Sequence, residues 1–98
     1  MVTETARREE IRHVLGDCLR YIARKDCPGE FTEEMVVLVV CGLDSEHGVE
    51  LACDLSARLK IEIPAKDNPL IEDDDATGRK RARKFEEVVT YLMALTPA

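Results

Sequence analysis

A chain of 98 residues with a formal net charge of −6 is expected to form one small domain, residues 1–98, that buries about 60–65% of its unfolded surface. That acidity argues against nucleic acid as the principal partner, because phosphate repels it, and suits basic protein surfaces. A nucleic-acid-binding module using Arg79 to Lys84 is therefore the least favoured reading. With no Trp, two Tyr and two Phe there is no aromatic platform for stacking, and the longest apolar run, residues 35–43, falls far short of the ~20 residues a membrane span requires.

The first ten residues are polar and charged, so no secretory signal is expected. Cysteines stand at 18, 27, 41 and 53 without a C-x-x-C pair, and His13 and His47 stand alone. This spacing argues against a zinc site or a disulfide framework and fits a reducing, cytoplasmic environment. Cys18 and Cys53 fall on or beside apolar helix faces and read as small buried hydrophobes.

In chain order, residues 3–24 read as the first helix, with Ile11, Val14, Leu15, Cys18, Leu19 and Ile22 at i, i+3, i+4, i+7 spacing. Thr5 and Glu9 do not have capping-box spacing, which leaves the helix start open by several residues. Asp26-Cys27-Pro28-Gly29 stops it. Residues 30–41 are less regular. The β-branched run from Met35 to Val40 taken alone suggests a buried strand, but one strand without partners makes no sheet. A loop containing a short helical turn is therefore expected, with Phe31 and Val37 tucked beneath it. Residues 46–60 form the next helix. On a wheel of ~100° per residue, Leu51, Ala52, Leu55, Leu59 and Val49 take one side, and Glu46, His47, Glu50, Asp54 and Arg58 the other. Ser45 stands at or next to its N-cap, and Asp44 adds negative charge near the positive end of the helix dipole. After a connector holding Pro64 and Pro69 comes a charged segment, residues 72–84. It is expected to be an extended loop or an N-terminal extension of the last helix, with a basic patch at Arg79 to Lys84 for a partner or a phosphate group as the alternative. Phe85, Val88, Val89, Leu92 and Leu95 restore helical periodicity in the final helix, which Thr96-Pro97 ends.

Gly42-Leu43-Asp44-Ser45, the Val49-Glu50-Leu51 that follows, and Ile61-Glu62-Ile63-Pro64 resemble the acyl carrier proteins, most specifically over residues 42–64. The resemblance implies an all-α fold, a small antiparallel bundle of three to four helices with a long first loop and an extended segment before the last helix. It further implies a 4′-phosphopantetheine arm from coenzyme A on Ser45, next to Asp44, that holds acyl groups as thioesters. The pathway would be one of lipid, fatty acid or polyketide biosynthesis. The expected partners are a phosphopantetheinyl transferase and acyl-loading and acyl-transfer enzymes with basic docking patches, which meet a monomeric carrier at Glu46, Glu50 and Asp54. One position departs from the pattern: the family has Leu after the Ser, and this chain has Glu46. That substitution fits either a specialised carrier or a carrier-like domain without cofactor, acting as an adaptor or regulator through its acidic helix.

The residues themselves speak against an enzyme. A serine nucleophile needs an adjacent base, and His47, two positions along a helix from Ser45, faces another direction. Gly42-Leu43-Asp44-Ser45 also lacks the second glycine of a nucleophile elbow. As an acceptor Ser45 needs only exposure at a fixed helix end and a recognisable surface, with the base and any metal supplied by a separate transferase. Acidic side chains at 46, 50 and 54 recur every four residues and make a stripe for weak, fast, exchangeable docking.

Overall fold

The computed structural model describes residues 3–23, 27, 30–44, 46–64, 67–73 and 76–95. Helix α1 (Glu4–Ala23) follows the predicted apolar periodicity, and Ile11, Leu15, Cys18 and Leu19 are fully buried along it. Its start is fixed by Thr3, whose Oγ1 accepts the Ala6 N–H at 3.1 Å and whose carbonyl accepts the Arg7 N–H at 3.0 Å. Arg24 and the expected stop residues Asp26, Pro28 and Gly29 lie outside the described residues.

Residues 35–40 resolve the competition between strand and helix by being both in turn. Val36 is extended (φ −81°, ψ 109°) and bridges antiparallel to Lys84, and Phe85 N–H donates to the Met35 carbonyl at 2.7 Å. The chain then closes one helical turn, α2 (Val37–Val40), with Val37 buried. Helix α3 (His47–Leu59) buries Gly48, Leu51 and Leu55. Helix α4 (Phe85–Met93) buries Phe85, Val88, Val89 and Leu92, and its Glu87 carboxylate accepts the Lys84 backbone N–H at 2.8 Å. Thr96 and Pro97 are outside the described residues.

The expected all-α antiparallel bundle is overturned by the segment before α4. Residues 71–82 contain an antiparallel hairpin, β1 (Ile71–Asp73) with β2 (Lys80–Ala82), in the register Ile71↔Ala82, Glu72↔Arg81, Asp73↔Lys80. The charged run is thus neither a plain loop nor a helical extension. Its acids face its bases across the ladder, the pairing that stabilises two exposed strands. Gly78 supplies the positive φ (71°) in the turn, and Arg83 N–H donates to the Leu70 carbonyl at 2.8 Å, continuing the pairing. Helix α1 packs against α3 and against α4, and the helices do not clearly form a bundle. Leu70 and Ile61, from the connections, complete the core.

Two features of this packing carry expected outcomes. Gly48 lies at the middle of the buried face of α3, where an added Cβ would overlap the Asn68 amide. Asn68 Oδ1 accepts the Leu70 N–H at 2.9 Å and so positions the chain ahead of the hairpin. Gly48→Ala gains about 1 kcal/mol of helix propensity. Against that stand about 1–3 kcal/mol of overpacking and a displaced hydrogen bond of about 1 kcal/mol. Net destabilisation of about 1–3 kcal/mol is expected, read as a lower urea midpoint; an unchanged or higher midpoint would mean that Asn68 moves aside freely.

Glu86 of α4 ties down α1. Its carboxylate accepts Arg12 Nε at 3.1 Å and Arg12 Nη2 at 2.8 Å, and also meets Arg8. These bonds, chiefly that with Arg12, hold the Glu86 carboxyl below its ordinary pKa. An unfolded Glu titrates near about 4.3, so the contribution is fully present above that pH and is lost as pH falls through the lowered folded value. Glu86→Gln is expected to cost about 1–2 kcal/mol at pH 7 and distinctly less at pH 3, by urea unfolding at both. An equal deficit at both pH values would place the effect in packing and not in charge.

Candidate functional site

The segment between α2 and α3 is built by two consecutive local devices. Gly42 takes a left-handed conformation (φ 63°) directly after α2. With it, Leu43 N–H reaches the Leu38 carbonyl at 3.0 Å and Gly42 N–H the Val39 carbonyl at 3.3 Å. This is a Schellman termination, which explains glycine at that place. Asp44 then opens α3. Its Oδ1 accepts the N–H of Glu46 at 3.0 Å and of His47 at 3.3 Å, and its carbonyl accepts the His47 N–H at 3.2 Å. Glu46 occupies the N-cap position without a side-chain cap bond, so the capping falls to Asp44. Ser45, the expected acceptor, lies outside the described residues.

His47 is half-buried and packs back on the same aspartate. Its Nδ1 is 3.1 Å from the Asp44 backbone N and 3.0 Å from Asp44 Oδ1. A neutral Nδ1 accepts the backbone N–H; a protonated one donates to the carboxylate instead. Sequence reasoning set His47 on the polar side of the helix and missed this contact, although the i, i+3 spacing to Asp44 is a signal for it.

Of the acidic row, Glu46 and Glu50 are exposed, whereas Asp54 is half-buried and contributes to the field at Cys18 of α1. That field is secondary, since burial is the main reason the Cys18 thiol is pushed up. No salt bridge to any of the three acids occurs among the described residues. Val49 departs from the wheel reading: it is 69% exposed. It lies roughly 160° around the helix from Leu51, at the outer edge of the apolar stripe. Cys53 is likewise exposed where burial was expected, while Cys18 is buried. Val49 and Cys53 join Ala52, Ser56, Ile63 and Pro64 in an open, largely apolar groove of about 300 Å³ beside the acidic row.

The basic run near the hairpin is largely matched by the chain's own acids. Arg81 pairs with Glu72 and Glu87, and Lys84 Nζ lies 2.7 Å from Glu34. Arg83 Nη1 donates to the Pro69 carbonyl at 3.2 Å, and its guanidinium lies 4.2 Å over the Tyr91 ring. Tyr91 in turn donates to Asp67 at 2.9 Å; burial, with that bond, pushes its hydroxyl up to about 12. Burial lowers the pKa of Arg83. This constellation fastens the hairpin to α4 and uses up most of the charge a phosphate-binding patch would need. Among the described residues, no group of three or more His, Cys, Asp or Glu is placed to hold a metal ion, and no helix is long and apolar enough to cross a membrane.

Comparison with protein-family models, with curated proteins and with solved structures gave no match.

Proposed function

We propose that this chain is a specialised acyl carrier, modified on Ser45 and used by other enzymes in the cytoplasm, and not itself an enzyme. The observation that carries this reading is the start of α3. The Schellman turn at Gly42 and the Asp44 cap fix the backbone on both sides of position 45, and Asp44 and Glu46 are exposed there. A transferase working on a hydroxyl needs a rigid, open helix end, and it needs charge to recognise. Glu46 and Glu50 supply that charge along the helix, with Asp54 at its inner margin. The reading requires this local geometry and no helical bundle.

The residues flanking position 45 fit a phosphopantetheine arm. The Asp44 carboxylate is committed to backbone N–H groups, and the groove between Val49 and Ala52 of α3 and Ile63 of the connection after it offers an apolar wall. When bound, that arm supplies a thiol that carries acyl groups as thioesters. The partners are a phosphopantetheinyl transferase and acyl-transfer enzymes with basic docking patches, which meet a monomeric carrier. Electrostatic docking of this kind gives fast and exchangeable encounters.

A second reading, a cofactor-free adaptor, is favoured by one residue. Glu46 puts a carboxylate where a transferase that recognises carriers reads an apolar side chain. The deciding measurement is intact mass after incubation with coenzyme A and a broad-specificity phosphopantetheinyl transferase, followed by peptide mapping. One phosphopantetheinyl group on the peptide containing Ser45 is expected. An unchanged mass on folded protein, with a standard carrier loading in parallel, would select the adaptor.

A further inference from the structure

Cys27 lies four residues beyond the end of α1, and Cys41 ends α2 as its C-cap residue. Their sulfurs are 3.0 Å apart. We propose that these two thiols are a reversible redox pair, closing into a disulfide that ties the segment after α1 to the end of α2. The proposal is independent of any cofactor on Ser45.

The geometry supplies what such a pair needs. A disulfide requires the sulfurs to approach to about 2.05 Å, roughly 1 Å nearer than they stand. Cys27 lies outside any described helix or strand, so closing the bond breaks no helix or ladder hydrogen bond at that residue. The two differ in access: Cys27 is half-buried, and Cys41 has no exposed surface. Cys27 is therefore the thiol an oxidant meets first, and Cys41 is the one that resolves the product. Neither of the other cysteines has this arrangement, Cys18 being buried in the α1 core and Cys53 exposed on α3.

The oxidant class is a low-molecular-weight disulfide such as oxidised glutathione. The Cys27 thiolate attacks one of its sulfurs, forming a mixed disulfide and releasing one glutathione thiolate. Cys41, as thiolate, then attacks the Cys27 sulfur, forming the Cys27–Cys41 bond and releasing the second. The protein gives up two electrons and two protons, and two molecules of reduced glutathione leave. The bond closes a loop running from residue 27 to residue 41, and it restrains the residue immediately before the Gly42 turn.

The test uses the full chain in glutathione buffers from fully reduced to fully oxidised, with thiols trapped by alkylation, intact mass measured and peptides mapped. Oxidation is expected to remove two hydrogens from the mass, to link the Cys27 and Cys41 peptides, and to raise the urea midpoint, all reversed by dithiothreitol. Cys53→Ser, which removes the exposed thiol, should leave this behaviour intact, and Cys27→Ser should abolish it. Recovery of both Cys27 and Cys41 as alkylated thiols from folded protein in oxidised glutathione would overturn the proposal. So would a stable glutathione adduct on Cys27, or a cross-link that joins Cys53 or a second chain.

Discussion

Phe85→Ala is expected to cost about 3–5 kcal/mol of folding stability, a large share of the roughly 5–15 kcal/mol a domain possesses. Phe85 is only 4% exposed and stands where three pieces of chain meet. It begins α4 directly after β2 and the Lys84 bridge, and its backbone N–H donates to Met35. Its ring stacks on Phe31 with centroids 4.9 Å apart and planes 6° from parallel. The Arg20 guanidinium of α1 lies 5.3 Å from the other member of that pair, Phe31. Truncation to Ala removes the ring against which the long loop rests, and the loop can collapse only by breaking the Val36–Lys84 bridge. Phe85→Leu, which keeps most of the volume, is expected to cost about 1.5 kcal/mol or a little more. Urea unfolding with an unchanged m-value checks both. If Phe85→Leu unfolds at the same urea concentration as the unsubstituted chain, the stacked pair contributes nothing beyond its volume.

The loop that Phe85 supports marks the boundary of what the sequence discloses. The α1 and α4 periodicities are legible because each apolar residue lies on one face of a helix that packs on one core. The single turn of α2 is legible for a weaker reason, namely that a lone β-branched run has no obvious strand partner. Yet Val36 does find a partner in Lys84, forty-eight positions away, and no local pattern announces it. The hairpin is hidden in the same way. Strands of three residues show no usable alternation, and Glu72, Asp73, Lys80 and Arg81 read as a solvated charge run until the register sets them opposite one another. At the candidate site, the motif gave the right helix start but assigned its capping loosely. The Asp44 carboxylate makes the bonds, and the wheel placed Val49 inside because a marginal position counts the same as a central one. Only the fold distinguishes the two, by setting Gly48 under Asn68 and leaving Val49 in water.

The division of labour between Asp44 and its neighbour makes the functional test clean. Ser45→Ala is expected to abolish phosphopantetheine loading completely while leaving the unfolding midpoint near that of the unmodified chain. The described cap bonds of α3 run to Asp44 and need no hydroxyl at 45. Asp44→Ala, by contrast, should lower stability by about 0.5–2 kcal/mol, because the N–H groups of Glu46 and His47 lose their acceptor. Glu46→Leu completes the series. Glu46 is exposed and unpaired among the described residues, so the change should alter stability by less than about 0.5 kcal/mol. Under the carrier reading, Glu46→Leu should speed loading by a transferase that expects an apolar residue there, and the adduct should still map to Ser45. Loading that survives Ser45→Ala in a folded chain would remove Ser45 as the site. No loading in the Glu46→Leu chain would leave the acidic face of α3 as a binding surface with nothing to carry, and its partners could then be sought through Glu46 and Glu50 alone.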